Sequence, residues 1–146
     1  MKWERNGYWI SDDANDVDLD VAHEFLTSAY WCQNVPRETV EKSFDHSICF
    51  GVFRDQSMVG FARVVTDFST FGYLADVFIL EQHRNQGLAL WLVQTILAHP
   101  ELQGFRRWLL ATKDAHALYA KLGFTPLEKP EMFMEILDPD VYSGNA

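Results

Sequence analysis

The stretch Glu81-Gln82-His83-Arg84-Asn85-Gln86-Gly87-Leu88-Ala89 is the part of the chain whose residue types and order most suggest chemistry. A β-forming apolar run leads into it and an apolar, helix-like run follows directly. A polar, glycine-bearing loop in that position can hold an anion: the first turn of a helix exposes N–H groups with no internal acceptor and carries partial positive charge. Gly87 would let a phosphate come close, small Ala89 would keep the next turn open, and Arg84 could add charge at the rim. The alternative reading is that Gly87 only permits a tight strand-to-helix turn. Neither Gly-x-x-x-x-Gly-Lys-Ser/Thr nor Gly-x-Gly-x-x-Gly occurs, which argues against a nucleotide hydrolase or a dinucleotide-binding enzyme.

The elements that must position this loop follow from periodicity and punctuation. A short strand is expected at Tyr8–Ser11. Asp12, Asp13, Asp16, Asp18 and Asp20 then suit the start of a helix whose apolar stripe is Val21, Ala22, Phe25, Leu26 and Ala29. Pro36 opens a shorter helix through Val40 and Phe44. Apolar runs at 48–53 and 58–66, joined by Arg54-Asp55-Gln56-Ser57, read as an antiparallel hairpin. Residues 73–80 read as a strand, Leu88–Leu97 as a helix apolar on nearly every side, 108–112 as a strand, and 115–122 as a helix stopped by Gly123. A last strand is expected at 133–137. The order is β, two helices, several strands, then β-α-β-α-β.

With 146 residues, 48% of them apolar and 14% aromatic, the chain is expected to form one domain over 1–146, its core spanning about 8–137. There is no apolar run long enough to cross a membrane and no signal-like start, so a cytoplasmic protein without membrane attachment is expected. Cys32 and Cys49 have no metal-ligand or redox spacing, so no metal is expected. A net charge of −9 argues against nucleic acid as a partner and mildly favours a cationic one.

Two segments also carry a family likeness. Arg84-Asn85-Gln86-Gly87-Leu88-Ala89 resembles the Arg/Gln-x-x-Gly-x-Gly/Ala signature of the GNAT family of N-acetyltransferases. About thirty residues on, Ala117-Leu118-Tyr119-Ala120-Lys121-Leu122-Gly123-Phe124 resembles that family's Leu-Tyr-x-x-x-Gly-Phe segment. The resemblance implies a single-domain α/β fold with a mixed, mostly antiparallel sheet flanked by helices. Its central strands splay to leave a gap for the pantetheine arm of acetyl-CoA, the acetyl donor. It further implies that the backbones of Phe78 and Ile79 meet that arm and that Arg84, Asn85, Gln86, Gly87, Leu88 and Ala89 cradle the diphosphate. Tyr119 matches the tyrosine that protonates the departing thiolate. Where many members carry an asparagine near the later helix, this chain has Thr112, with Asp114 and His116 close by, and His116 is a candidate cofactor contact.

Acetyl transfer to nitrogen needs a neutral amine, although a free alkylamine with a pKa of about 10 is mostly protonated at neutral pH. Asp76, the one acid in the 73–80 strand, is the candidate base; it could instead order a neighbouring loop or bind the substrate's ammonium. His116 is its rival. A backbone N–H, from Phe78 in this reading, would meet the oxyanion. Tyr119 could donate to the leaving sulfur, or could simply pack, since Ala115, Leu118, Tyr119 and Leu122 share a helical stripe. Trp31, Phe68, Phe71 and Tyr73 could wall an amine pocket or serve as core or dimer contacts. The expected activity is transfer of acetyl from acetyl-CoA to a primary amine of a small molecule or peptide by direct attack in a ternary complex. The alternatives are an inactive acetyl-CoA sensor and an α/β interaction module. Dimers are common among similar proteins, so a homodimer is a further expectation.

Overall fold

Asn6 and Gly7 both have left-handed backbones, with φ of 51° and 84°. Such a pair makes a turn that matches strand twist, and it folds Lys2–Arg5 (β1) back on Tyr8–Ser11 (β2). Strand β1 thus precedes the first strand expected from the sequence. The computed structural model describes residues 1–143. After β2 come α1 (Leu19–Leu26), α2 (Arg37–Asp45), β3 (Ile48–Arg54), β4 (Ser57–Thr66), β5 (Phe71–Ile79), α3 (Leu88–Leu97), β6 (Arg107–Leu109) and α4 (His116–Ala120). The acidic start of α1 is used as its composition suggests: the Asp18 carboxylate accepts the Val21 N–H at 3.1 Å.

The strands form one sheet in the order β1-β2-β3-β4-β5-β6. Neighbours are antiparallel except β5 and β6, which run parallel. The expected hairpin forms, with Arg54 paired to Ser57 across the turn. Side chains alternate between the two faces, and each face carries its own core. On one side Ile10, Phe50, Val52 and Val64 pack with Trp91, Leu92 and Ile96 of α3 and with Tyr119 of α4. On the other, Cys49, Met58, Phe61 and Phe78 pack with Ala22 and Leu26 of α1 and Val40 of α2. Helix α3 is buried on most sides, as its sequence suggests.

Three expectations at the C-terminal end need correction. The strand at 108–112 is shortened to Arg107–Leu109, and the helix at 115–122 to His116–Ala120. The strand at 133–137 does not form: Pro130–Met132 is a short 3₁₀ turn, and Met134 and Ile136 beyond it stand fully exposed. A strand needs a hydrogen-bonding neighbour, and no described strand pairs with this run. Among the described residues no helix is long and apolar enough to cross a membrane.

Candidate active site

Strands β5 and β6 pair only through Phe71, Gly72 and Tyr73, opposite Arg107, Trp108 and Leu109. Beyond Tyr73 the edge of β5 has no strand partner on that side, and this opening is the splayed gap. A bulge shapes its wall. On β4, Phe61 pairs with Phe78 and Arg63 with Ala75, so Asp76 and Val77 together face the single residue Ala62; Asp76 carries the extra turn with φ of 56°.

The bulge also decides which backbone groups face the gap. The Leu80 N–H donates to the Val59 carbonyl at 2.8 Å, which makes Phe61 and Phe78, two residues along, another hydrogen-bonded pair. The amide groups of the intervening Ile79 therefore point to the open edge, and its carbonyl there accepts from Arg84 Nε at 2.8 Å. Of the two backbones expected to meet a ligand, Ile79 faces the gap. Phe78 is turned into the ladder, and its ring stacks on Phe25 at 4.0 Å. Val77, two residues before Ile79 and so of the same parity, is a gap-side residue that the sequence did not reveal.

The loop after β5 ends in a concave backbone. Asn85 and Gly87 have left-handed φ of 63° and 76°, which turns successive N–H groups toward one point. None of the N–H groups from Asn85 through Leu90 donates to an acceptor among the described residues; the Trp91 N–H is the first that does, to the Gly87 carbonyl. A Cβ added at Gly87 would meet nothing within 4 Å, so that side is open space. Leu88 and Ala89 send their side chains into the core and offer only backbone to the concavity. Arg84, Asn85 and Gln86 are exposed, with Gln86 Oε1 at 3.5 Å from the Tyr8 hydroxyl.

On α4, Tyr119 is 8% exposed and packs edge-on against Phe124. Its hydroxyl makes no hydrogen bond among the described residues. Burial, and then the neighbouring phenol of Tyr30, pushes it from the usual value near 10 up to about 12. It is both packing and a phenol held protonated. His116 begins α4 and is exposed, without a hydrogen bond. The Thr112 hydroxyl accepts the Ala115 N–H at 3.1 Å and so is used in holding the start of α4.

The side chain of Asp76 is fully engaged: Oδ1 accepts from Trp31 Nε1 at 2.9 Å and Oδ2 from Arg63 Nε at 2.8 Å. Arg63 also donates to Ser47 Oγ at 3.1 Å. Tyr30, next to Trp31, accepts the Lys113 N–H at 2.9 Å and lies under the Lys113 ammonium. The segment after α1 is thereby tied both to β5 and to the loop after β6, which brackets the mouth of the gap. Tyr30 and Arg63 escaped the sequence reading. Arg63 did leave a signal there, as the one charge inside an apolar strand. Tyr73 and Phe71 lie on the paired part of β5, and Phe68 occupies the β4–β5 turn with φ of 62°. Neither cysteine offers a nucleophile: burial, above all, pushes the thiols of Cys32 and Cys49 up to about 12.

The chain is also similar, over most of its length, to known proteins. The profile of the Acetyltransferase (GNAT) family matches residues 18–124. A Gibberella zeae protein is 32% identical over 144 residues, covering 83% of this chain and 80% of that one. A GNAT-family structure from Xanthomonas campestris pv. campestris is 43% identical and superimposes with a TM-score of 0.92, over 96% of this chain and 99% of its own. A Clostridium acetobutylicum protein solved with acetyl-CoA shares the fold at a TM-score of 0.65 and 13% identity, over 94% of this chain and 96% of its own. All three carry provisional acetyltransferase names. From the family match and the two closer relatives, this chain is an acetyltransferase and belongs to the GNAT family.

Proposed function

We infer that the chain carries the acetyl group of acetyl-CoA to a primary amine of a small molecule or peptide by direct attack, with donor and acceptor bound together. The observation that carries this reading is the row of N–H groups from Asn85 through Leu90, without acceptors of their own, at the end of the unpaired β5 edge. Amides fixed in that way suit a diphosphate, because they need not leave other partners to bind it. The N–H groups of Val77 and Ile79 along the same edge suit the amide-bearing arm that would follow. Bound there, acetyl-CoA would supply an activated acyl group on a thiol leaving group.

The residues of the chain then divide the work. Tyr119 holds a proton on its hydroxyl at any pH below its raised pKa and can donate it to the departing sulfur. The high thiol pKa values leave no cysteine fit to carry the acyl group first, which supports attack by the amine itself. Of the roles open to Asp76, the geometry favours ordering a neighbour: with Arg63 and Trp31 on its two oxygens, it fixes the wall of the acceptor opening. The proton of the amine then leaves through solvent at that opening. The charge of −9 favours a cationic acceptor.

Titration of acetyl-CoA by calorimetry tests the reading. The wild type is expected to bind with a melting temperature that rises with ligand. Gly87→Val, which puts a branched side chain at a left-handed position in the concavity, is expected to weaken binding by about tenfold or more. Equal affinity in the two proteins would remove the diphosphate from this loop.

A further inference from the structure

Tyr8 opens β2 and is 5% exposed, packed into the core on the sheet face that carries α3. Its ring is well occupied: the Arg54 guanidinium lies over it at 4.8 Å, and the His83 ring meets it edge-on at 5.8 Å. The hydroxyl has a separate need, because a phenol oxygen taken out of water requires a polar partner. Its partners among the described residues are His83 Nδ1 at 2.9 Å and Gln86 Oε1 at 3.5 Å, 75 and 78 positions along the chain. The hydroxyl serves in either tautomer of His83: it donates to a bare Nδ1, or accepts from a protonated one and turns its own hydrogen to Gln86.

Both partners belong to the loop that leads from β5 into α3, and that loop has little else to hold it. The Arg84 guanidinium reaches back to the Ile79 carbonyl, and backbone bonds join His83 to Leu80 and Arg84 to Glu81, all of them local. Among the described residues, the hydroxyl of Tyr8 makes the only hydrogen bonds or ion pairs that join residues 81–87 to a strand other than β5. Packing does not substitute for them. A cavity of about 60 Å³ lies between the loop and the β1–β2 hairpin, with Arg5, Tyr8, Gln86, Gly87 and Trp91 in its lining. Asn85 also has a left-handed backbone, which costs free energy in a residue with a Cβ, so the loop needs a hold from outside.

We propose that Tyr8 is a positioning residue for the acetyl donor: its hydroxyl holds His83 and Gln86, and through them keeps the N–H groups from Asn85 through Leu90 turned toward one point. The proposal rests on the reading of that row as the diphosphate site. Its physical content is preorganisation. With the loop ordered beforehand, the donor does not bear the entropy of ordering it, and loss of the hydroxyl falls on donor affinity.

Calorimetric titration with acetyl-CoA, together with backbone 15N relaxation, tests this on the full chain. Tyr8→Phe keeps the ring and removes only the oxygen, and it is expected to bind acetyl-CoA about three- to tenfold more weakly. In the free variant the order parameters of the Asn85, Gln86 and Gly87 amides are expected to fall from about 0.85 toward about 0.6, while those of β3 and the later turns of α3 stay as in the wild type. Saturating acetyl-CoA should restore them. His83→Phe removes the other partner at a half-buried position and is expected to show the same pattern. The double variant should lose no more affinity than either single one, because the two residues share one bond. Equal affinity in the wild type and both single variants would overturn the role of Tyr8. So would loop amides as ordered as in the wild type, or a loosening spread evenly over the sheet. A wild type that binds no acetyl-CoA fails one step earlier, and removes the diphosphate site and this proposal together.

Discussion

Asp76 cannot easily both hold Arg63 and take a proton from an amine. Both carboxylate oxygens are already engaged, one by Trp31 and one by Arg63, so service to an amine would compete with those contacts. Replacing it by Asn keeps an acceptor for Trp31 but leaves Arg63 without its countercharge, at a site where the arginine is only 18% exposed. Asp76→Asn is expected to lower stability by about 1–3 kcal/mol and to raise the KM for the acceptor. Its kcat is expected to stay within about tenfold of wild type, as steady-state kinetics would show; a loss of about 10²–10⁴ is the mark of a missing base. The sequence shows this residue as an acid in a strand and no more. Its partners lie 13 and 45 positions away, and such contacts are set by packing rather than by local pattern.

Between neighbouring strands, the legible part of the site is the part made by local chemistry. The loop from Arg84 to Ala89 reads correctly because a glycine, a polar run and a helix start lie side by side in the chain. The gap-facing backbone does not, because one extra residue at Asp76 shifts the parity of everything after it. Phe78 and Ile79, as neighbours, must turn their amides opposite ways in any strand, and the bulge decides that Ile79 is the one that faces the gap. The approach of β4 to this segment depends on Gly60. A Cβ there would lie 2.5 Å from Ile79 Cδ1 and 3.0 Å from the Phe78 carbonyl oxygen. The side-chain tip can move; the backbone oxygen belongs to the wall of the gap. Gly60→Ala is expected to cost about 1–3 kcal/mol in denaturant unfolding and to weaken acetyl-CoA binding by displacing the end of β5.

For the whole molecule, the element order was readable from Tyr8 to α4, since each segment satisfies its own propensity and its own face. The end of the chain was misread because 133–137 has the composition of a strand, and composition does not supply the hydrogen-bonding neighbour that a strand needs. Stability as a whole should show the mark of Tyr119. Its folded-state pKa of about 12 exceeds the ordinary phenol value near 10, so the contribution is complete below pH 10 and is lost as pH rises toward 12. The difference is worth about 3 kcal/mol. Unfolding free energy of the wild type is expected to fall more steeply over this interval than that of Tyr119→Phe, which should also turn over more slowly. The two thiols, Cys32 donating to the Leu26 carbonyl and Cys49 buried, have a practical consequence of their own. At neutral pH almost no protein sulfur is ionised, so a disulfide dye added to a running reaction would colour with the coenzyme released and hardly at all with the catalyst. Each acceptor amine could then be screened in a continuous optical assay without first stripping the protein of its cysteines.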